Sequence, residues 1–332
     1  MRIAVIGSNK FDSLESHMCD AFVHLGHTAL LVDPMAQNLL PTTAHYWLGR
    51  FLRTYDEATS RKLARHIAGL NPDLVMVVYR HLNPVLVASL KKHLPGCPVA
   101  QVNPDTVATL ERQQIIASDF DFYFSKEPYL VETLRQKAGL NAHYVPEGFN
   151  PRMNVRPVMP KPQAEADTNI DVMMYGNLYP YRARMAEQLL KAGIRLTIFG
   201  RPAAFMPPLV RAAFRHQYLV GEAKNQLLFG AKIVFNNFFF AEITSANQKY
   251  FEINGTGGFQ LSDYKPMLEQ YSGVPCHRVT YQSMDEAIEK IRHYLAHPEE
   301  RYALAQAQYD HFQQYHTIDH RMAQVLSIIY PN

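Results

Sequence analysis

Short apolar runs alternate with helical stretches along this chain, and the alternation restarts after residue 169. The runs that we predict as strands are RIAVIG, TALLVD, DLVMVVY, PVAQVN, FDFYFS and AHYVP in the first half, then IDVMMYG, RLTIFG, KIVFNN and GFQLSD. Helix-like segments separate them, and from Met284 onward the chain is predicted to be entirely helical. Such alternation is typical of parallel, doubly wound sheets. The sequence therefore predicts an α/β fold built from two Rossmann-like domains.

The segment NPRMNVRPVMPKPQAEADTN, residues 150–169, separates the two halves. It holds four prolines and little periodic hydrophobicity, as expected of a domain boundary. We predict an N-terminal domain over residues 1–150, a linker over 151–169 and a C-terminal domain over 170–305. A last helical segment, 306–332, is expected to return to the N-terminal domain. Because ligands bind outside the carboxyl ends of strands in such sheets, the expected site is a cleft between the domains.

The composition excludes several classes of protein. With 47% hydrophobic and 19% charged residues, the 332-residue chain is predicted to be globular. Its formal charge of +3 is too small to indicate nucleic-acid binding by itself, although it permits an anionic ligand. Cys19, Cys97 and Cys276 lie far apart, so neither a disulfide framework nor a zinc site is indicated. Without a secretory signal or a run of about 20 apolar residues, the chain is predicted to be soluble and cytoplasmic.

The stretch KYFEINGTGGFQLSD carries the strongest sign of ligand binding. It places Glu252 on a helix that runs into a Gly-Thr-Gly-Gly turn and then a strand. Gly257 and Gly258 allow backbone N–H groups to approach a phosphate, and Lys249 adds a positive charge one helical turn before Glu252. A carboxylate here can hold the hydroxyls of a ribose. The alternative is a helix C-cap with Lys249 and Glu252 as a solvated pair, and the spacing alone favours this alternative.

The motifs of the second half occur in a recognisable order. They are GNLYPYRARM, a strand ending IFG, VGEAKNQLLFGAKIVFN, SANQKYFEINGTGGFQLSD and the helical tail that starts at YQSMDEAIEK. In this order they resemble the GT-B glycosyltransferases, and within them the CgeB-like, spore-maturation-type group. The resemblance covers residues 171–325 well and the first half in outline. It implies two Rossmann-like domains facing a central cleft, with a nucleoside-diphosphate sugar in the C-terminal domain and the acceptor mainly in the N-terminal one.

The resemblance also implies roles for individual residues. Glu252 corresponds to the second of two paired family glutamates, the one that grips the donor ribose, and the first would fall at Thr244. Lys249 stands where arginine is more usual and keeps the charge for the diphosphate. Arg182 and Arg184 open the helix after Gly176, where cations can neutralise a leaving diphosphate. The other donor-side candidates lie in loops after strands or in the glycine turn: Gly176, Asn177, Gly221, Glu222, Asn236, Gly257 and Gly258.

Polar residues of the first half follow predicted strand ends, which face the expected cleft. The acceptor-side candidates are Ser8, Asn9, His81, Asp105, Lys126 and Glu147. Any of them can orient an acceptor hydroxyl, and His81 and Asp105 are the leading candidates for a catalytic base. For His81 the alternative is an ordinary loop histidine. Ser8 and Asn9 stand in place of a glycine-rich dinucleotide fingerprint, so a nicotinamide cofactor is disfavoured.

These observations lead to one main hypothesis and two alternatives. The main hypothesis is a glycosyltransferase that moves a sugar from a nucleoside-diphosphate sugar, with UDP favoured, to a hydroxyl of a glycan, protein or small molecule. We expect no metal and no tightly bound cofactor, because Lys249, Arg182 and the glycine turn can balance the diphosphate charge. The alternatives are a non-catalytic module that binds a nucleotide sugar or a partner protein, and a glycosyltransferase acting on modified DNA.

Overall fold

The structure of the protein, a computed structural model, describes residues 1–36, 41–78, 81–105 and 114–331. The chain divides into two compact units. The first combines Met1–Pro146 with Arg321–Asn332, and the second is Glu147–His320. The segment that we predicted as a linker belongs to the second unit.

The first unit contains a parallel sheet with helices between successive strands. Its strands are β1 (Arg2–Ile6), β2 (Thr28–Val32), β3 (Leu74–Val77), β4 (Val99–Asn103), β5 (Phe122–Ser125) and β6 (Ala142–Tyr144). Its helices are α1 (Leu14–His24), α2 (Thr42–Phe51), α3 (Arg53–Gly69), α4 (Val85–His93), α5 (Gln114–Ala117) and α6 (Pro128–Ala138). The strand order is β2-β1-β3-β4-β5-β6, and Ala4 of β1 lies opposite Leu30 of β2 and Val75 of β3.

The second unit repeats this plan with a smaller sheet. Its strands are β7 (Val172–Met174), β8 (Leu196–Ile198), β9 (Ile233–Asn236), β10 (Gln260–Asp263) and β11 (Thr280–Tyr281), and they lie in the order β11-β10-β9-β7-β8. Its helices are α7 (Lys161–Thr168), α8 (Pro180–Lys191), α9 (Pro208–Ala213), α10 (Gly221–Gly230), α11 (Gln248–Gly255), α12 (Leu268–Tyr271), α13 (Cys276–Val279), α14 (Met284–Ala296) and α15 (Pro298–Tyr315). The last helix, α16 (Ile318–Ile329), begins in the second unit and ends in the first.

Both sheets have a topological switch point. In the first sheet β1 pairs with β2 on one side and β3 on the other, and in the second β7 pairs with β8 and β9 in the same way. The chain therefore winds to one side and then to the other, and a crevice opens outside the carboxyl ends of the strands at that point. The loops after β1 and β3, and after β7 and β9, are thus the places where each unit can bind a ligand.

Continuous apolar runs form the central strands because helices cover both faces of each sheet. Ile3, Val5 and Val75 are fully buried in the first unit, as are Val172 and Val234 in the second. This burial explains why the runs show no polar alternation. Each of the ten strands that we predicted is present within two residues at either end, so the predicted pair of parallel α/β sheets is confirmed.

Two details of the strand prediction differ from the structure. The run YLVG, residues 218–221, resembles a strand in sequence, which is why Gly221 and Glu222 were expected to follow one, but it forms no strand: Leu219 is buried, and Gly221 is already the first residue of α10. Burial of one side chain, without a neighbouring strand to pair with, explains the strand-like pattern. Conversely, β11 was not predicted, because its two residues are too few to show a period.

A buried ion pair fixes α7 to the rest of the second unit. Arg301 Nη2 of α15 donates to Glu165 Oε2 at 2.6 Å, and Tyr302 donates to the same oxygen at 3.0 Å. Glu165 and Arg301 are both at least nine-tenths buried. Polar pairing rather than an apolar stripe thus stabilises this helix, which is why the segment resembles a linker in sequence.

Candidate functional site

Arg182 joins the two loops of the switch point in the second unit. It lies in the first turn of α8, and its Nη2 and Nη1 donate to the carbonyl oxygens of Tyr175 and Asn177, which follow β7. Its Nε donates to Asn237 Oδ1 at 2.9 Å, directly after β9. These bonds leave two of the five guanidinium N–H donors for a ligand.

The charge of Arg182 is buried without a carboxylate at ion-pair distance. The residue is 4% exposed, and among the residues that the structure describes no carboxylate oxygen lies within 4 Å of its guanidinium. Loss of hydration lowers the pKa of Arg182 to about 10, so the group remains a cation at neutral pH. The charge of Asp263 acts on Arg182 from a longer distance, but no carboxylate in the described ranges forms an ion pair with the guanidinium, so this position favours an anionic ligand.

Gly176 lies between two cationic side chains. A Cβ at this position would be 3.2 Å from Lys249 Nζ and 3.7 Å from Arg182 Nη1. Gly176 has a φ of +94°, and Gly200 packs so closely on it that a Cβ at Gly200 would lie 2.2 Å from the Gly176 carbonyl oxygen. Glycine at both positions therefore keeps the space beside the two cations open, because a side chain at either position would fill it.

Asn236 and Asn237 present amides at the end of β9. Asn236 Nδ2 donates to Gln260 Oε1 at 3.2 Å and lies 3.4 Å from Asn247 Oδ1. Asn237 is 1% exposed, and its Nδ2 has no hydrogen-bond partner within the described part of the chain. A buried amide donor next to Arg182 suits a phosphate or sugar oxygen.

Glu252 lies in a buried polar cluster rather than in solvent. Its Oε1 accepts a hydrogen bond from Lys224 Nζ at 3.1 Å, and its Oε2 accepts one from the Tyr175 hydroxyl at 3.2 Å. Glu252 and Lys224 are 6% and 4% exposed. The alternative of a solvated Lys249–Glu252 pair is therefore wrong. A carboxylate offers about four acceptor positions, so the two bonds in place leave room for ribose hydroxyls.

The glycine turn after α11 does not offer N–H groups to a phosphate. The N–H of Gly257 donates to the Asn254 carbonyl at 3.0 Å, and that of Gly258 to the Ile253 carbonyl at 2.9 Å. With a φ of +77° at Gly257, the turn is a helix C-cap. The prediction that its N–H groups approach a phosphate is therefore wrong. A Cβ at Gly258 would lie 2.5 Å from the Leu228 carbonyl oxygen, so close packing requires that glycine.

The loop at Gly221 and Glu222 also differs from the prediction. These two residues open α10 instead of following a strand, and the exposed Glu222 accepts a hydrogen bond from Gln226 one turn later at 3.0 Å. The same helical turn carries Lys224, which contacts Glu252. The start of α10 therefore approaches the cluster through Lys224.

Two carboxylates hold the loop between Asn237 and Thr244. Asp263, at the end of β10, accepts a hydrogen bond from the Phe238 N–H at 2.6 Å, and Glu242 accepts one from the Phe239 N–H at 2.9 Å. Glu242 is 4% exposed. Burial raises the pKa of Asp263 to about 6, to which the nearby Glu242 also contributes. This loop leads directly to Thr244, the position without the expected glutamate.

We expect Asp263 to make the stability of the protein depend on pH. Because its pKa rises from 3.8 to about 6 on folding, its contribution to the free energy of unfolding is present below pH 4 and lost as the pH rises through 6. The unfolding free energy of the wild type relative to Asp263→Asn should fall by about 1–3 kcal/mol between pH 4.5 and 7.5. Urea unfolding at the two pH values measures this difference.

Asp171→Asn is the matched control for this prediction. Arg195 and Lys232 hold the pKa of Asp171 below its usual range, so its contribution is present above pH 4 and lost only in more acidic solution. The difference in the free energy of unfolding between wild type and Asp171→Asn should therefore not fall toward pH 7.5. If the difference in unfolding free energy between wild type and Asp263→Asn stays flat or rises with pH, the raised pKa of Asp263 is contradicted.

In the first unit, carboxylates occupy the loop after β1. The N–H of Ser8 donates to Glu15 Oε1 at 2.9 Å, and the N–H of Asn9 lies 3.4 Å from Asp33 Oδ2. Amides that are bonded to carboxylates in this way do not form a phosphate cradle. This arrangement agrees with the absence of a dinucleotide fingerprint in the sequence.

His81 lies beside a small cavity at the carboxyl edge of the first sheet. The cavity, of about 50 Å³, is also lined by His45, Asp56, Lys62 and His66. The other acceptor-side candidates do not line it. Asp105 follows β4, and its N–H donates to Asn103 Oδ1 at 3.1 Å; Lys126 is buried after β5, and Glu147 is buried at the start of the second unit.

In the described ranges, no group of three histidine, cysteine, aspartate or glutamate side chains is arranged to hold a metal ion. Likewise, none of the helices within those ranges is long and apolar enough to span a bilayer.

Tyr175 and Lys224 are site residues that our reading of the sequence missed. Lys224 had a detectable signal, since it lies four residues before the buried Leu228 and thus on the apolar face of α10. A lysine on such a face needs a buried partner. Nothing in the local sequence, however, identified that partner as Glu252, which lies 28 residues away.

Comparison with known proteins agrees with this arrangement. Residues 182–327 match the family model described as Glycosyl transferase-like, and the match begins at Arg182. No curated protein sequence matches the chain.

Several solved structures resemble the chain over its whole length. Sucrose-phosphate synthase from Thermosynechococcus elongatus has a TM-score of 0.71 at 13% identity, covering 99% of this chain and 98% of its own. Anabaena Alr3699/HepE in complex with UDP-glucose has a TM-score of 0.69 at 13% identity, covering 99% and 100%. The DNA-modifying enzyme beta-glucosyltransferase has a TM-score of 0.57 at 12% identity, covering 99% of both chains.

The chain therefore has the GT-B fold of these glycosyltransferases, and the predicted fold class is confirmed. The match of the second unit to a glycosyltransferase family model and the shared fold together support glycosyltransferase activity. Identities of 12–13% carry no information about the particular sugar or acceptor.

Proposed function

We propose that the protein transfers a sugar from a UDP-sugar to a hydroxyl acceptor. The observation that carries this proposal is the buried Arg182 cation, which has no carboxylate within 4 Å among the described residues and lies at the switch point of a sheet in which such folds bind ligands. The family match that begins at this residue and the similar UDP-glucose complex of Anabaena Alr3699/HepE support a UDP-sugar as the anion.

The donor diphosphate is proposed to bind between Arg182 and Lys249. Both cations lie within 4 Å of the position that a Cβ on Gly176 would take, so an anion bound beside Gly176 can contact both of them. The two spare guanidinium N–H groups and the Asn237 amide supply further donors. As the bond from the anomeric carbon to the phosphate oxygen breaks, these groups stabilise the charge that develops on the leaving UDP.

The donor ribose is proposed to bind at Glu252. Lys224 and the Tyr175 hydroxyl fix the orientation of the carboxylate through two hydrogen bonds, which leaves its remaining acceptor positions for the ribose hydroxyls. Tyr175 also accepts a hydrogen bond from Arg182 through its carbonyl oxygen. One tyrosine therefore links the proposed ribose and diphosphate positions.

The acceptor is proposed to bind in the first unit, with His81 or Asp105 as catalytic base if the reaction inverts the sugar configuration. The base takes the proton of the acceptor hydroxyl, while the oxygen of that hydroxyl forms the new bond to the anomeric carbon. If configuration is retained, the departing phosphate can take that proton instead. We propose that no metal is needed, because Arg182 and Lys249 supply the positive charge. Membership of the CgeB-like group and a cytoplasmic location remain parts of this proposal.

A non-catalytic module that binds nucleotide sugars is the second candidate, and Thr244 favours it. The family glutamate expected there is absent, and the nearby Glu242 and Asp263 are bonded to backbone N–H groups. Binding of a UDP-sugar without UDP release on a broad pool of glycan, protein and small-molecule acceptors would favour this candidate over the enzyme.

A thermal-shift panel tests the donor assignment. UDP-, GDP-, TDP- and CDP-sugars are added separately in buffer with EDTA, and a ligand that binds only the folded state must raise the melting temperature. We expect UDP-sugars to give the largest increase. A larger increase with another nucleotide sugar would mean that the donor carries that nucleobase instead of uracil. No increase with any of the four would contradict the proposal.

A further inference from the structure

Helix α2 lies at the switch point of the first sheet. Its His45 lines the small cavity beside His81, together with Pro34 and Met35, which follow β2. The ring of Tyr46, the next residue of α2, meets the His81 ring edge-on, with the two centroids 5.9 Å apart. Because such sheets bind ligands at the switch point, the exposed side chains of α2 border the place proposed for the acceptor.

One face of α2 packs on α3. His45 shares a hydrogen bond of 2.8 Å with the Tyr55 hydroxyl of α3. A Cβ at Gly49, one turn after His45, would lie 3.4 Å from Oδ1 of Asp56, also on α3. The helical period of 3.6 residues places Trp47 and Phe51 on the opposite face of α2, away from this contact.

Trp47 and Phe51 form an exposed aromatic stack. Their rings are nearly parallel, with an angle of 11° between the planes and 5.8 Å between the centroids, and the Tyr46 ring meets Trp47 edge-on at 5.3 Å. Trp47 is 49% exposed, Phe51 74% and the following Leu52 50%. Single exposed apolar side chains are common on any protein, whereas a contiguous group of large ones is typical of a binding surface.

The chemistry of this stack suits the ring of a sugar. A pyranose presents a face of C–H groups and a rim of hydroxyls. The face of an aromatic ring carries partial negative charge, so it attracts polarised C–H groups, and the contact removes apolar surface from water. Beside the stack, the Tyr46 hydroxyl accepts a hydrogen bond from Arg50 at 3.2 Å. A polar pair therefore borders the apolar rings, as a ligand with an apolar face and a polar rim requires.

The charges around α2 argue against a lipid surface as the occupant. Helices that bind anionic membranes through an apolar face are rich in lysine and arginine on the other face. The sequence of α2, TTAHYWLGRF, has one residue of either type, Arg50. Arg53, the next cation along the chain, donates to Glu57 at 2.8 Å, and Arg61 donates to the same carboxylate at 2.8 Å. This pairing weakens the positive potential that would attract anionic lipids.

We propose that Trp47 and Phe51 stack on a sugar ring of the acceptor, so that the acceptor is a glycan or a glycoside. The proposal rests on the proposed function, because it names the acceptor class for that reaction. It narrows the acceptor from any hydroxyl compound to compounds that carry a pyranose ring. Trp47 and Phe51 then determine specificity for the acceptor and take no part in binding the donor.

The fluorescence of Trp47 tests this proposal, because the chain contains one tryptophan. The probes are cellotetraose, maltotetraose and N-acetylchitotetraose, with sorbitol as a polyol that has hydroxyls but no ring. We expect at least one tetrasaccharide to shift the emission to shorter wavelength, since stacking removes water from the indole, and sorbitol to leave it unchanged. No shift with any tetrasaccharide at about 10 mM, or an equal shift with sorbitol, would overturn the proposal.

Ring variants separate stacking from general hydrophobic attraction. Phe51→Leu keeps an apolar side chain without a ring, and calorimetric titration should show binding of the preferred tetrasaccharide weakened by about 3- to 10-fold. Trp47→Leu should weaken it by about 10-fold or more, whereas Trp47→Phe keeps a ring and should retain most of the affinity. Unchanged affinity in both leucine variants would contradict the stack.

Tyr129→Leu is the matched control for these variants. It removes a ring that is 54% exposed on α6 of the same unit, and it should change the affinity for the tetrasaccharide by less than about 2-fold. A loss as large as that in Phe51→Leu would mean that exposed rings act without regard to position, which would overturn the assignment to α2.

The same emission measurement identifies other occupants. A shift with vesicles of phosphatidylcholine and phosphatidylglycerol, and none with the tetrasaccharides, would assign the stack to a membrane surface and overturn the proposal. A shift on raising the protein concentration alone, and none with the tetrasaccharides, would assign it to a second copy of the chain and overturn the proposal equally.

Titration of UDP into the same samples separates this inference from the proposed function. If UDP binds and the tetrasaccharides do not, only the assignment of the aromatic stack fails. If the tetrasaccharides bind at Trp47 and UDP does not bind, the proposed donor function fails instead, and the stack remains a carbohydrate-binding surface.

Discussion

Replacing Arg182 by methionine is expected to weaken UDP binding by about 100-fold, because the variant loses a buried cation and its charged hydrogen bonds to the diphosphate. Calorimetric titration of UDP measures the change. Arg182→Lys keeps the charge but loses the planar fork that bonds Tyr175, Asn177 and Asn237, so its affinity should lie between the wild type and Arg182→Met.

Arg184→Met is the matched control for Arg182. The side chain of Arg184 is 73% exposed two positions along the same helix and pairs with Glu187 at 3.0 Å. UDP affinity should change by less than about 3-fold in this variant. A loss as large as that in Arg182→Met would indicate that net charge, rather than a specific contact, binds the nucleotide.

The second large effect is expected at Lys224. Lys224→Met should lower the free energy of unfolding by about 3–5 kcal/mol, because it leaves the Glu252 carboxylate buried without its cation. The double variant Lys224→Met/Glu252→Gln removes both charges and should recover most of this stability. Urea unfolding measures both values. Lys232→Met breaks a more exposed pair with Asp171 and should cost under about 1 kcal/mol.

The double variant also separates folding from binding. It should be stable, yet bind UDP at least about 10-fold more weakly than the wild type, because an amide replaces the carboxylate proposed for the ribose hydroxyls. Wild-type affinity in this variant would mean that Glu252 serves only the fold. Failure of the second substitution to restore stability would mean that the pair is not the source of the loss.

The sequence was sufficient to predict the sheets because their central strands are buried on both faces. Residues such as Val75 and Val234 belong to continuous apolar runs that leave few alternatives to a parallel strand. The run at Leu219 shows the limit of this argument, since burial of a single side chain produces the same pattern without strand pairing.

Positions of site residues were predictable where topology determines them. Asn177 and Arg182, which were both predicted, lie in the loop after β7 and at the start of α8, and Arg182 bridges from there to Asn237 after β9. The glycine turn was ambiguous, because a helix C-cap and a phosphate turn both require a left-handed glycine at Gly257. Only the hydrogen bonds distinguish these two cases.

Partners that are distant in sequence could not be predicted from a single chain. Lys224 and Glu252 meet because α10 and α11 pack on the same sheet, and no local period records that contact. The cavity beside His81 brings together residues of α2, α3 and the loop after β3 for the same reason. In both cases the tertiary fold decides which polar residues meet.

A crystal structure of the protein with UDP would test the central claim most directly. We predict the diphosphate oxygens at hydrogen-bond distance from Arg182 and Lys249 beside Gly176, with the ribose hydroxyls on the Glu252 carboxylate. Density for UDP elsewhere, or a diphosphate at the turn of Gly257 and Gly258, would contradict the account.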